Sequence, residues 1–308
     1  MNAVVADNLQ KVYAAGQEPV QALQGLSFSV APGELFGIIG PDGAGKTSLF
    51  RILTTLLLPD GGTASVAGYD VVKDYKAIRQ RVGYMPGRFS LYQDLTVAEN
   101  LEFFATIFET TIEANYDLIR DIYVQIEPFR NRRAGKLSGG MKQKLALCCA
   151  LIHKPEVLLL DEPTTGVDAV SRKEFWDMLQ DLKKQGITIL VSTPYMDEAS
   201  LCDRVALVQS GRLLSLDTPE GVIQSFGKPL LAVRCRQMYP LLLALPTLEG
   251  VADGYAFGEY HHVVVQGDAG QVEHQLRQLP FPNLEVLPVR PGIEDCFMAL
   301  MKTNGDNR

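Results

Sequence analysis

No stretch of this sequence comes near the roughly eighteen consecutive apolar residues that a bilayer-crossing helix needs, so no membrane span is expected. The five cysteines, Cys148, Cys149, Cys202, Cys235 and Cys296, are odd in number and show no CxxC spacing. Neither a disulfide framework nor a zinc site is expected from them, and Cys148 and Cys149, inside an apolar helical run, read as core packing. The four histidines, His153, His261, His262 and His274, form no metal-ligand spacing. His261 and His262 are adjacent on an expected strand and so point to opposite faces. Excess positive charge is also lacking: 29 Lys and Arg against 36 Asp and Glu give a net charge of −7. That balance argues against nucleic acid as a partner, and the one notable basic stretch, RNRRAGK (130–136), reads as a solvated loop. The opening MNAVVADNLQ has no basic segment followed by an apolar one, so no leader is expected.

What is present suits a packed α/β protein. The 308 residues, 46% hydrophobic and 21% charged, are enough for one large unit and a smaller one. Up to about residue 85, short strand patterns alternate with turns. LFGIIG (35–40), VLLLDE (157–162) and ITILVST (187–193) are apolar runs of the buried parallel-strand type. Residues from about 94 to 152 read as mainly helical, with a capping-box start at Thr96 and Glu99. KTSLFRILTTLL (46–57) reads as a helix, and TILVSTPYMDEAS (188–200) as a strand giving way to an acidic helix start. Past residue 227 or so the order becomes βαββαβ with one extra helix, the pattern of a small ferredoxin-like α+β unit, and the last residues, KTNGDNR, are expected to fray.

The chemistry begins at GPDGAGKT (40–47), which fits G-x-x-x-x-G-K-[ST] between a buried strand and a helix. Glycines there let backbone N–H groups curl around phosphate oxygens, and the helix N-terminus adds its positive end. Lys46 is placed to reach the β- and γ-phosphates and the Thr47 hydroxyl to ligate Mg²⁺. VLLLDEP puts Asp161 at a strand tip, where it can hold Mg²⁺, and Glu162 beside it, where it can orient or deprotonate an attacking water. LSGGMKQK (137–144) then sets Ser138, Gly139 and Gly140 before a helix, a second anion-binding N-terminus whose paired glycines suggest close approach of a ligand.

Taken together, LSGGMKQ between the phosphate loop and the DE strand resembles the signature loop of the ABC-type ATPases. The resemblance covers residues 1 to about 225. It implies a P-loop nucleotide-binding domain over 1–227, with a helical subdomain at about 88–152, followed by a small α+β domain over 228–308. It implies that ATP and Mg²⁺ are bound, the nucleotide by Gly40, Pro41, Asp42, Gly43, Ala44, Gly45, Lys46, Thr47 and Ser48. Tyr13 in KVYAAG matches the aromatic residue that stacks on adenine, and Asp168 in TTGVD (164–168) the residue that crosses the dimer interface. RFSLYQDLTVAENL, STPYMDEA and the C-terminal appendage resemble the ATP-binding subunits of drug-export transporters, in particular the N-terminal half of bacterial tandem ATP-binding proteins of putative multidrug exporters. The partners so implied are transmembrane subunits, onto which Phe89, Leu91 and Tyr92 either dock or instead pack as core, and a second ATP-binding domain in a heteromer, a tandem half or a homodimer. The location so implied is cytoplasmic, peripheral on the inner face of the membrane.

Two positions depart from the family pattern. Pro194 stands where a histidine normally contacts the γ-phosphate, and Gly87 where a glutamine normally helps to place Mg²⁺ and water. Losing one transition-state contact costs about 10²–10³ in rate, and such losses do not simply add. The expectation is therefore ATP binding with slow or partner-dependent hydrolysis at this chain's own phosphate loop, while its signature loop serves the partner's site. The alternatives are a non-hydrolytic regulatory module and a non-transport ABC-type ATPase. The C-terminal unit, with no motif of its own, is left as a dimerisation surface, a regulatory ligand site or a brace.

Overall fold

Three short apolar runs set the frame. In a computed structural model describing residues 1–15, 18–87 and 91–305, LFGII, VLLLD and TILVST are buried at every position, as strands covered on both faces must be. The order of elements opens with β1 (Val4–Ala15), β2 (Glu18–Val30), β3 (Leu35–Ile39), α1 (Lys46–Leu53), β4 (Gly61–Val66), β5 (Tyr69–Asp70), α2 (Tyr75–Arg79) and β6 (Val82–Met85). Helices α3 (Val97–Ile107), α4 (Tyr116–Tyr123) and α5 (Gly139–Leu151) follow. Then come β7 (Val157–Asp161), α6 (Ala169–Lys184), β8 (Thr188–Thr193), β9 (Arg204–Gln209), β10 (Arg212–Asp217) and α7 (Pro219–Ser225).

The central sheet runs β10-β9-β3-β8-β7-β6 and is parallel from β9 through β6. Its register pairs Ile39 with Thr193, Asp161 with Ser192 and Met85 with Leu160. That alignment brings the ends of β3, β8, β7 and β6 to one edge, so the loops holding Gly40, Gly87, Glu162 and Pro194 leave the sheet together. An antiparallel sheet, β2-β1-β4-β5, packs its apolar residues into the same core.

Helix α1 is shorter than its sequence pattern suggests. It stops at Leu53 because the Thr54 hydroxyl turns back onto the Phe50 carbonyl (2.8 Å) and Thr55 takes a left-handed conformation. At α3 the capping box forms as read, with Thr96 and Glu99 each bonding the other's backbone N–H. Asn100, fully buried, ties the loop before it: it accepts from Tyr92 N (2.9 Å) and donates to Tyr92, Leu95 and Thr96 carbonyls. Leu91 is buried, Tyr92 is exposed against Phe103, and Phe89 lies outside the described residues. Among the described residues no helix is long and apolar enough to cross a membrane.

The chain divides into two compact units, Met1–Glu220 and Gly221–Arg308, a boundary several residues before the 227–228 junction expected from composition. The second unit holds β11 (Leu230–Arg234), α8 (Met238–Ala244), β12 (Val251–Phe257), β13 (Tyr260–Val265), α9 (Ala269–Arg277), β14 (Glu285–Val289) and α10 (Ile293–Gly305). Its all-antiparallel sheet runs β12-β13-β11-β14, the ferredoxin-like arrangement with the first and third strands central. One face packs α8 and α9 through Val233, Leu241, Val263 and Leu276. His261 bonds the Met238 carbonyl of α8 (2.7 Å), while its neighbour His262 meets Asp295 of α10 (2.6 Å), so the two rings do leave by opposite faces. Helix α10 extends to Gly305, beyond the Met301 end that a frayed KTNGDNR implied.

Asp295 anchors that helix. It is 1% exposed and accepts from the Tyr255 hydroxyl (2.7 Å), the His262 ring and the Gly292 N–H (2.7 Å). Replacing it with alanine strands three donors, the buried His262 ring and the half-buried Tyr255 hydroxyl and Gly292 N–H. Asp295→Ala is expected to destabilise the second unit by about 2–4 kcal/mol, read as lost hydrogen-exchange protection across 251–265 with residues 157–193 unchanged.

Candidate functional site

The loop leaving β3 is shaped by backbone contacts that only glycine permits. A Cβ at Gly40 would sit 2.1 Å from the Val208 carbonyl, and one at Gly45 2.2 Å from that of Ala22, where φ is also +99°. The chain thereby folds back tightly enough to start α1 at Lys46. The Lys46 ammonium, 3% exposed, donates to the Gly40 carbonyl (2.8 Å) and the Pro41 carbonyl (3.0 Å) and pairs with Glu162 Oε1 (3.0 Å). A cavity of about 300 Å³ opens here, lined by Asp42, Gly43, Ala44, Gly45, Lys46, Thr47, Ser48 and, from β1, Tyr13. Tyr13 is held in place by its hydroxyl on Ser48 Oγ (3.1 Å). A lysine, a helix N-terminus and loop backbone around one cavity, with an aromatic ring at its side, have the chemistry that suits an anion such as phosphate.

The two carboxylates at the tip of β7 are set by Ser192 on β8. Its hydroxyl donates to Asp161 Oδ1 (2.6 Å), while its carbonyl and Oγ both accept from Glu162 N (3.0 Å each). Glu162 has φ +50°, a left-handed conformation that costs a non-glycine residue about 1 kcal/mol or more. The turn delivers its carboxylate to Lys46. Asp161 and Thr47 line a neighbouring groove of about 980 Å³. Among the described residues no three His, Cys, Asp or Glu cluster as a metal cage. One carboxylate plus one hydroxyl suits Mg²⁺, which takes few protein ligands and completes its octahedron with phosphate oxygens and water.

The same groove continues over Arg51, Tyr84, Tyr92, Phe103, Phe104 and Ile107. An adjoining apolar hollow of about 360 Å³ reaches Phe108 and His153, whose rings stack at 3.7 Å. Burial pushes the His153 imidazole down to about 4, so it is neutral here.

Gly87 and Pro194, the two departures, border the carboxylates differently. A Cβ at Gly87 would lie 3.0 Å from the Asp161 backbone carbonyl and 3.8 Å from Glu162 Cβ, so this position borders the turn that carries the pair. Pro194 sits between Thr193, whose carbonyl accepts from Gly40 N (3.2 Å), and Tyr195, whose N–H bonds Thr193 Oγ1 (3.0 Å).

The signature residues lie apart from the phosphate cavity and are not among its lining. Ser138 caps α5, accepting from Met141 N (3.4 Å), and the close neighbour of Gly140 is Ser171 of α6, whose Oγ a Cβ would meet at 2.8 Å. Within this chain the small residue thus serves helix packing. Asp168 caps α6 through Val170 N (3.1 Å) and Ser171 N (3.0 Å), and the Ser171 backbone bond holds its carboxyl below the usual range.

A buried acid beside Pro194 also escaped sequence reading. Glu198, 2% exposed, accepts from Thr164 Oγ1 (2.8 Å) and Thr193 Oγ1, with the Arg172 guanidinium 3.6 Å away. It clamps the loop after β7 to the tip of β8 across Pro194. In sequence, DEA looked like acid complementing a helix start. The segment Met196–Leu201 is instead a 3₁₀ turn, and its glutamate faces inward. Glu198→Ala is expected to cost about 2–4 kcal/mol and Glu198→Gln less, because the amide keeps one acceptor. Thermal unfolding followed by the single tryptophan, buried Trp176, checks this.

Comparison with known proteins agrees with this geometry. Residues 23–165 match the family described as ABC transporter. The chain is 38% identical over 306 residues to the probable multidrug ABC transporter ATP-binding protein YbhF of Escherichia coli (strain K12), covering 97% of itself and 52% of that protein. It therefore spans about half the length of this relative. It is 41% identical over 206 residues to the Nod factor export ATP-binding protein I of Burkholderia lata, covering 66% of itself and 68% of that protein. Among solved structures it resembles the dimeric ATP-binding cassette MJ0796 in a post-hydrolysis state bound to ADP and Pi, with TM-score 0.63 and 26% identity over 70% of this chain and 98% of that one. An ATP-binding subunit of an ABC transporter matches with TM-score 0.64 and 27% identity, over 73% and 93%. The chain belongs to the ABC transporter family, on the side of its ATP-binding proteins.

Proposed function

We propose that this chain binds Mg-ATP and drives an exporter through separate membrane subunits, holding nucleotide at a site that turns over slowly. The observation that carries the proposal is the meeting of Lys46, Thr47, Asp161 and Glu162 at one sheet edge, beside a glycine and a proline where two further polar groups would complete the site. Lys46 and the α1 N-terminus bind the phosphates. Thr47 and Asp161 would hold Mg²⁺, which neutralises charge on the β- and γ-phosphates. Glu162 orients or deprotonates the attacking water. Tyr13 supplies the face for adenine, and Ser138, Gly139, Gly140 and Asp168 are offered to the site of a second ATP-binding domain.

The apolar groove of Tyr92, Phe103, Phe104 and Ile107 supports a membrane-subunit partner, because exposed Tyr92 and Ile107 and half-buried Phe103 and Phe104 border a cavity of a size that suits a docked segment. On this reading the chain works in the cytoplasm, peripheral to the inner face of the membrane. The names of the relatives, multidrug and Nod factor, point to export without agreeing on cargo.

The test is ATP binding beside steady-state hydrolysis. The chain is expected to bind ATP and turn it over slowly, and Gly87→Gln with Pro194→His to raise the rate at least about tenfold, short of the product of two independent contacts. Glu162→Gln is expected to abolish the residual turnover and keep binding. Fast turnover in the unaltered chain would overturn the slow-site reading. Binding with no turnover even in the double variant would favour a regulatory nucleotide-binding module.

A further inference from the structure

Helix α5 carries a polar side chain that the phosphate site does not account for. Gln143 is only 9% exposed, and its Nε2 donates to the Pro163 carbonyl at the turn after Glu162. Its Oε1 is buried and has no hydrogen-bond partner. A buried amide oxygen left unpaired costs about 1–3 kcal/mol, so an orphan of this kind calls for an occupant. Gln143 lines a cavity of about 80 Å³ whose other walls include Gly87, Ala146, Glu162 and Thr165. A water needs roughly 10–15 Å³ on this measure together with two to four polar partners. The cavity has the room, and Gln143, Glu162 and Thr165, which line it together with Lys142, carry polar groups that can serve as the partners. A Cβ at Gly87 would already lie 3.0 Å from the Asp161 backbone carbonyl and 3.8 Å from Glu162 Cβ, so glycine leaves room beside the turn that carries these acids.

We infer that Gln143 is a positioning residue for Glu162. A water in this cavity donates one hydrogen to Gln143 Oε1 and the other to the Glu162 carboxylate, giving that carboxylate a restraint besides Lys46. The first turn of α5, whose N-terminus carries Ser138, Gly139 and Gly140, is thereby joined to the chain's own hydrolytic group. The inference rests on the hydrolytic reading of Glu162.

A high-resolution crystal structure of the full chain tests the water itself. The expected result is an ordered water within hydrogen-bond reach of both Gln143 Oε1 and Glu162, lost in Gln143→Met and in Ala146→Leu, which fills the cavity and leaves the bond to Pro163 in place. Cavity density bonded to neither group, or to Gln143 alone, overturns the inference. In turnover assays both variants are expected to lower kcat about fivefold with KM for ATP unchanged. Adding Gly87→Gln to Gln143→Met is expected to restore kcat by returning an amide from the other wall. A parallel loss of thermal stability and ATP affinity in Gln143→Met, with Ala146→Leu silent, would show a structural role only and also overturn it. If Glu162→Gln leaves turnover unchanged, the hydrolytic reading fails, and the bridging water in the crystal still decides whether Gln143 positions Glu162.

Discussion

The meeting of Lys46 with Glu162 at one end of the sheet depends on the way Ser192 grips the turn at Asp161 and Glu162. Three hydrogen bonds from one residue orient the first carboxylate and hold the second residue in a left-handed conformation that it would otherwise leave. Those bonds exist because β7 and β8 pair in parallel with Asp161 opposite Ser192, and β3 joins β8 with Ile39 opposite Thr193. The strand register therefore decides where the carboxylate meets the lysine. A slip of one residue would turn Ser192 to the other face of the sheet and release both groups.

The clamp at Glu198 extends this logic past the sheet. Pro194 has no N–H to give, so the chain beyond β8 is secured by side chains: Thr193 to Glu198, Glu198 to Thr164, and Arg172 stacked on the Tyr195 ring at 4.1 Å. A rigid proline suits such a turn, because the loops on either side of it are already tied to each other.

What could be read from the sequence was what acts locally. The phosphate loop, the apolar strand ending in two acids and the Ser-capped glycines each announce themselves within eight residues or fewer, because strand, loop and helix start follow one another there. The ferredoxin-like order of the second unit was legible for the same reason, as alternating periodicities broken by Gly and Pro. Ser192, Glu198 and Gln143 were not, since each works on a group far away in the chain and belongs locally to an ordinary strand, turn or helix. The end of α1 was missed because TTLL continues an apolar helical pattern, while the Thr54 hydroxyl takes a backbone acceptor that propensity does not register.

The pairing of Lys46 with Glu162 sets a further constraint. An ammonium that already bonds two carbonyls and a carboxylate has little capacity left, so on the proposed reading phosphate oxygens arriving beside Lys46 compete with Glu162 for it. The phosphates carry more charge than one carboxylate and win that exchange. Glu162 then faces a negative ligand with its backbone held by Ser192 and its side chain released. A base must be held at a fixed distance from its water to be useful, so on the proposed reading the side chain needs a restraint besides Lys46. With glycine at 87, the restraint inferred for it comes from α5, whose Gln143 lines the cavity beside Glu162.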